Sequence, residues 1–183
     1  DRARCRLNVE PVPVDLRVDK DTMDREFDVL TEGLSDAERG ELSRRINMKA
    51  IMYNDARIHK VCAHIAKHFT EKIRPNGYKA QVVVYDRPCY IKYKAELDKL
   101  LGEKCSTIVM DTNDDKADEY KPYRRTKDEE AKILDRFPHT HDPLELVIVT
   151  ANLLTDFDPP LLQDMYTYTP MNDHNLHPAL CPH

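Results

Sequence analysis

The chain has 183 residues, 40% of them hydrophobic and 33% charged, with a formal net charge of −5, which suits one domain with an appendage or two small lobes. An acidic balance excludes a general nucleic-acid coat, because any contact with a polyanion must then come from local groups. No run approaches the roughly 20 apolar residues of a membrane span, the first residues carry no signal-peptide pattern, and the five cysteines lack the short paired spacing of a disulfide framework or zinc knuckle, so a reduced, cytoplasmic setting is the simpler account.

Up to about Lys20, Val12, Val14, Leu16 and Val18 alternate around Pro11 and Pro13. Period-2 patterning interrupted by proline predicts an edge strand or an extended linker over residues 1–20. A helical segment is predicted over 21–75. Met23, Phe27, Leu30 and Leu34 form one amphipathic face. Ser35-Asp36-Ala37-Glu38 is a capping box that opens a second helix and carries Leu42 and Ile46 inward. The third helix has the clearest period, with Ile58, Val61, Cys62, Ile65 and Phe69 on one stripe. Cys62 belongs to that stripe while His64 and His68 point elsewhere, which argues against reading the three as metal ligands.

Pro75-Asn76-Gly77 is a turn signal. Ala80 to Tyr85 then reads as a buried strand, followed by Asp86, a helix cap with Pro88 in the first turn. Tyr90, Tyr93, Leu97 and Leu100 line that helix and Gly102 ends it. Ser106 to Met110 is a further apolar run, followed by an acidic loop. Thr126-Lys127-Asp128-Glu129 is another capping box, opening a helix with Ile133 and Phe137 inward. Leu146 to Val149 is the next strand. Alternation of strand and helix at this spacing predicts an α/β fold, a parallel sheet with flanking helices, preceded by a small helical segment.

Polar groups concentrate after the last strand. Val147 to Pro160 reads V-I-V-T-A-N-L-L-T-D-F-D-P-P. A β-branched apolar run suits a strand buried on both faces, and residues beyond its carboxyl end lie where open α/β sheets place ligands. Thr150, Thr155, Asp156 and Asp158 are the candidates there. A solvated turn capped by Asp and stopped by Pro fits the same spacing. Arg87 follows the Ala80–Tyr85 strand at the start of a helix, where a phosphate can meet its guanidinium and free backbone N–H groups. An ordinary helix-start arginine facing water fits equally.

The Val147–Pro160 segment resembles motif V of superfamily 2 helicases, in the form V-T-D-M-L-L-T-G-F-D-A-P of the motor subunit of type I restriction enzymes. Val149, Thr150, Leu153, Leu154, Thr155, Phe157, Asp158 and Pro160 match; Ala151 and Asp156 stand where that family has Asp and Gly. Thr31 to Leu34, Arg57-Ile58, Ile65-Ala66, His68-Phe69, the motif-IV-like Lys79 to Arg87, and Asp173 to Leu176 fit as well, so the resemblance covers most of the chain. It implies a RecA-like second helicase lobe over 76–183. Arg87, Thr150 and Thr155 would meet DNA phosphates, and Asp158 and Asp156 would lie toward the nucleotide. It also implies ATP and Mg2+ in the parent enzyme, with double-stranded DNA, the other motor lobe and the modification and specificity subunits as partners.

Two features bear on chemistry. The chain has four glycines and no G-x-x-x-x-G-K-[ST] phosphate loop, so the resemblance places that loop and the nuclease site before residue 1, and the chain alone is expected neither to hydrolyse ATP nor to bind it tightly. In the family D-H-N-L leads into motif VI, with its arginines; here Pro178 and Pro182 stand in that stretch, and proline disrupts a helix interior by about 3 kcal/mol. The lobe is therefore incomplete at motif VI, by truncation or by loss. His174, His177, Cys181 and His183 fit no zinc spacing. Two readings stand: a translocase segment, and a degenerate helicase lobe retained for docking other proteins.

Overall fold

The computed structural model describes residues 35–110, 118–150 and 162–168. The predicted extended stretch over 1–20 and the helix from Met23 to Leu34 lie outside these residues. Helix α1 (Asp36–Tyr53) begins at the predicted capping box, in which the Ser35 N–H donates to the Glu38 carboxylate at 3.0 Å. Leu42 and Ile46 are only half-buried, and Met52 is the buried residue of this helix. Their inward placement therefore holds in part. The physical reason is that α1 meets its described neighbours at its carboxyl-terminal end, where the Met52 carbonyl accepts from the Cys89 thiol.

Helix α2 (Asp55–His68) starts at Asn54, whose side-chain oxygen accepts from the Arg57 N–H at 2.9 Å. Its predicted stripe is fully buried: Ile58, Val61, Cys62, Ile65 and Phe69 are each at most 1% exposed. The helix runs on through a π-helical turn (Phe69–Ile73) and a 3-10 turn (Arg74–Asn76) to Gly77. Gly77 has φ 72°, a left-handed conformation that a Cβ disfavours. The predicted turn is thus present, with glycine where the backbone requires it.

The sheet has four parallel strands in the order β2-β3-β1-β4, comprising β1 (Lys79–Val84), β2 (Ser106–Ile108), β3 (Leu146–Thr150) and β4 (Leu162–Thr167). The pattern at Leu162–Thr167 gives no apolar run and no alternation, so nothing in the sequence marks β4 as a strand. It forms because it pairs with the edge of β1 from Lys79 to Val83, with a register shift between Lys79 and Ala80. Helix α3 (Arg87–Leu101) follows β1, and helix α4 (Lys127–Arg136) precedes β3. Both start as predicted, α3 at Asp86 and α4 at the Thr126–Glu129 capping box.

Strand alternation sends side chains to two covered faces. Ala80, Val82, Val84, Leu146, Ile148 and Ile108 pack with Ile58, Ile65, Tyr90, Tyr93 and Leu97 from α2 and α3. Val83, Val147 and Val149 pack with Phe137, and Ile133 of α4 covers them. Coverage on both sides is why β1 and β3 read as continuous apolar runs, and each buried Val, Ile or Leu contributes on the order of 1.5–3 kcal/mol. Leu100 corrects the sequence reading, since it is 41% exposed. The step after Leu97 that returns to the core is i+4, and Leu101 packs there instead. Among the described residues no helix is long and apolar enough to cross a membrane.

Candidate functional site

The carboxyl edge of the sheet is built by one pairing. β1 and β3 are parallel neighbours with Val84 opposite Thr150, so the residues that follow β1 emerge beside Thr150. Asp86 caps α3: its side chain accepts from the Cys89 N–H at 3.4 Å and its carbonyl at 3.1 Å. The Tyr53 hydroxyl donates to Asp86 Oδ2, which fastens the end of α1 to this turn. That carboxylate also contributes to holding the Tyr53 phenol well above its usual range, second to burial.

Arg87 opens α3 and is half-buried. One turn on, the Tyr90 hydroxyl donates to Thr150 Oγ1 at 3.1 Å. Burial pushes the Tyr90 phenol up, opposed by the bond to Thr150 and by the Arg87 charge. The structure therefore brings Arg87 and Thr150 to one edge. Thr155, Asp156 and Asp158 lie outside the described residues. Tyr90 was read from the sequence as a core residue only. Its hydroxyl joining a threonine 60 residues away leaves no local signal.

Beside this edge, Arg57 Nη1 donates to Tyr93 Oη at 3.5 Å, and the Tyr93 and Tyr168 rings lie 6.3 Å apart. Tyr168 is placed by its N–H, which donates to the Val83 carbonyl at 3.1 Å. Arg57 had a usable signal. It stands four residues before Val61 and eight before Ile65, a charge in phase with an apolar stripe.

The other polar clusters are structural. At the opposite end of the strands Glu145 Oε2 accepts from Arg74 Nη2 at 2.6 Å, from Arg74 Nε at 3.0 Å and from the Cys105 thiol at 3.1 Å. Burial pushes the thiols of Cys62, Cys89 and Cys105 up to about 12, which leaves them protonated and unreactive at neutral pH. His68 Nδ1 lies 2.8 Å from the Tyr166 hydroxyl and 3.4 Å from Asp164, while Cys62 is buried in the core. Among the described residues no three His, Cys, Asp or Glu side chains gather as metal ligands.

A parallel sheet covered by helices on both faces, with an arginine and a threonine at its carboxyl edge, is an open α/β domain of the class that binds ligands at that edge. No family model matches the chain. In sequence it is similar to a Methanocaldococcus jannaschii protein assigned as the MjaIXP endonuclease subunit of a type I restriction enzyme, at 29% identity over 171 residues, 91% of this chain and 16% of that protein. It is also similar to the type I restriction enzyme HindI endonuclease subunit of Haemophilus influenzae, at 28% over 170 residues, 88% of this chain and 16% of the relative. A third relative, assigned as the MjaVIIIP endonuclease subunit of Methanocaldococcus jannaschii, is 30% identical over 152 residues, 74% of this chain and 15% of the relative. The chain is thus related to the endonuclease (R) subunits of type I restriction enzymes, and it spans about one sixth of the length of the relatives it matches.

Proposed function

We propose that the chain acts as a segment of the ATP-dependent, DNA-translocating restriction subunit of a type I restriction endonuclease, a second helicase lobe whose carboxyl edge tracks the DNA backbone. The observation that carries this reading is the β1–β3 pairing, which brings the turn leading to Arg87 to the same edge as Thr150, with Tyr90 bonded to the threonine hydroxyl. A guanidinium and a hydroxyl are donors that a phosphate diester takes, whereas Pro88 has no N–H and that of Cys89 is taken by Asp86. Thr155 extends this set in the proposal, with the other motor lobe and the modification and specificity subunits as partners. Phosphate contacts position a protein on DNA without reading bases, so binding by this edge is indifferent to sequence.

The proposal puts Asp158 and Asp156 toward the nucleotide, with ATP and Mg2+ belonging to the parent enzyme. The described part of the edge does not by itself fit a magnesium–nucleotide group. Its carboxylate, Asp86, is engaged by the Cys89 N–H and the Tyr53 hydroxyl, and the sequence has no phosphate loop. Titration calorimetry of this chain with ATP and magnesium is expected to give no low-micromolar site. The reading of a docking module is favoured by the net charge of −5 and by Pro178 and Pro182 in the motif VI stretch.

Fluorescence anisotropy on a labelled duplex at several salt concentrations separates the two. Neutralising one or two phosphates gives a logarithmic salt slope of about −1 to −2. Arg87→Ala is expected to weaken binding and flatten that slope by about one, and Asp156→Gly to strengthen binding by removing a like charge. Binding unmoved by either change would leave the docking module as the reading.

A further inference from the structure

Arg57 is 7% exposed, and its guanidinium carries five N–H donors in a fixed fork. Among the described residues the guanidinium makes one hydrogen bond, to Tyr93 Oη at 3.5 Å, which is at the outer limit of a useful contact. No carboxylate among them pairs with it. Two half-buried arginines differ: Arg74 is paired with Glu145, and Arg125 donates to the Ile108 carbonyl at 2.5 Å and to Thr107 Oγ1 at 2.8 Å. Tyr93, Tyr168 and Cys89 feel the Arg57 charge, and all three are uncharged at neutral pH. Among the described residues this buried cation has no ion-pair partner, an arrangement that is costly, and it stands beside the carboxyl edge of the sheet.

We propose that Arg57, with the hydroxyls of Tyr93 and Tyr168, forms a binding site for a phosphate oxyanion beside the carboxyl end of β1. The guanidinium takes two phosphate oxygens as a fork. The Tyr93 hydroxyl, which accepts from Arg57, keeps its own proton to donate. Tyr168 is half-buried beside it and supplies a second hydroxyl donor. A forked guanidinium with tyrosine side chains beside it suits a tetrahedral oxyanion. The inference rests on the function proposed above only for the source of the phosphate, a DNA backbone; a nucleotide offers the same chemistry.

The test uses the 183-residue chain and the variants Arg57→Met, Arg57→Lys and Tyr168→Phe. Urea midpoints are compared in potassium phosphate and in potassium chloride at matched ionic strength. The wild-type midpoint is expected to rise in phosphate. Arg57→Met should keep the chloride midpoint and lose the rise, Arg57→Lys should keep part of it, and Tyr168→Phe should reduce it. On a labelled duplex, Arg57→Met should weaken binding about tenfold and flatten the salt slope by about one. A phosphate response lost in Arg57→Met while duplex affinity stays unchanged assigns the site to a small phosphate such as ATP, and supports it. A wild-type midpoint that is the same in both salts, with duplex binding indifferent to Arg57→Met, overturns it. So does a collapse of the Arg57→Met and Arg57→Lys midpoints in chloride, which would make Arg57 a structural group. Should neither Arg87→Ala nor Arg57→Met alter duplex binding while the phosphate response still depends on Arg57, the DNA-tracking reading fails and this site stands.

Discussion

The Tyr90 hydroxyl donates to Thr150 Oγ1 at 3.1 Å, joining the first turn of α3 to the last residue of β3. The bond ties the helix to the strand end and settles where the threonine hydroxyl sits. Tyr90→Phe keeps the ring, which is 1% exposed, and removes only the bond. A loss of about 1 kcal/mol or less in urea unfolding is expected. Duplex affinity should fall several-fold in anisotropy if Thr150 contacts phosphate, because its hydroxyl is then free to rotate.

Val147 is fully buried between Val83 and Phe137 on the α4 face. Val147→Asp puts a charge there without a partner, at a cost of several kcal/mol. Since a domain is stable by only about 5–15 kcal/mol, the variant is expected to lose its cooperative urea transition or show a much lower midpoint. An unchanged midpoint would contradict two-sided burial of β3.

Gly77 ends the helical run from α2 at φ 72°, and a Cβ there would find the Thr140 methyl at 3.9 Å, an ordinary contact. Space is therefore not the issue; backbone conformation is. Gly77→Ala is expected to cost about 1–2 kcal/mol, read as a lower thermal midpoint. Gly77→Asn should cost less, because asparagine tolerates the left-handed region.

Arg136 donates to Asp142 from Nε at 2.8 Å and from Nη2 at 3.0 Å. These bonds hold the Asp142 carboxyl below the usual carboxylate range, aided by the Leu144 N–H. A depressed carboxyl stabilises the fold above its unfolded value, about pH 4, and that contribution disappears as pH falls through the lower folded value. Wild type and Asp142→Asn should therefore differ in urea midpoint at pH 7 and converge as pH falls through the lowered Asp142 value. A gap that persists once the carboxyl is protonated would mean the difference is packing rather than charge.

Sequence alone determined the elements whose signals are local. The Thr126–Glu129 capping box, the Asp86 cap and the Ile58–Phe69 stripe rest on hydrogen bonds and periodicities within a few residues, and each is present. The apolar runs of β1 and β3 announced two-sided burial because no alternation survives when both faces are covered. Tertiary structure alone decided what depends on partners far along the chain. β4 is a strand because β1 offers it an unpaired edge; its own pattern gives no sign. Leu101 rather than Leu100 reaches the core, since the angle at which α3 lies on the sheet chooses between adjacent positions. Arg87 and Thr150, 63 residues apart by their numbering, share an edge only because β3 pairs in parallel with β1. Strand order is a choice among long-range pairings of similar apolar runs, and no residue within either strand encodes its neighbour.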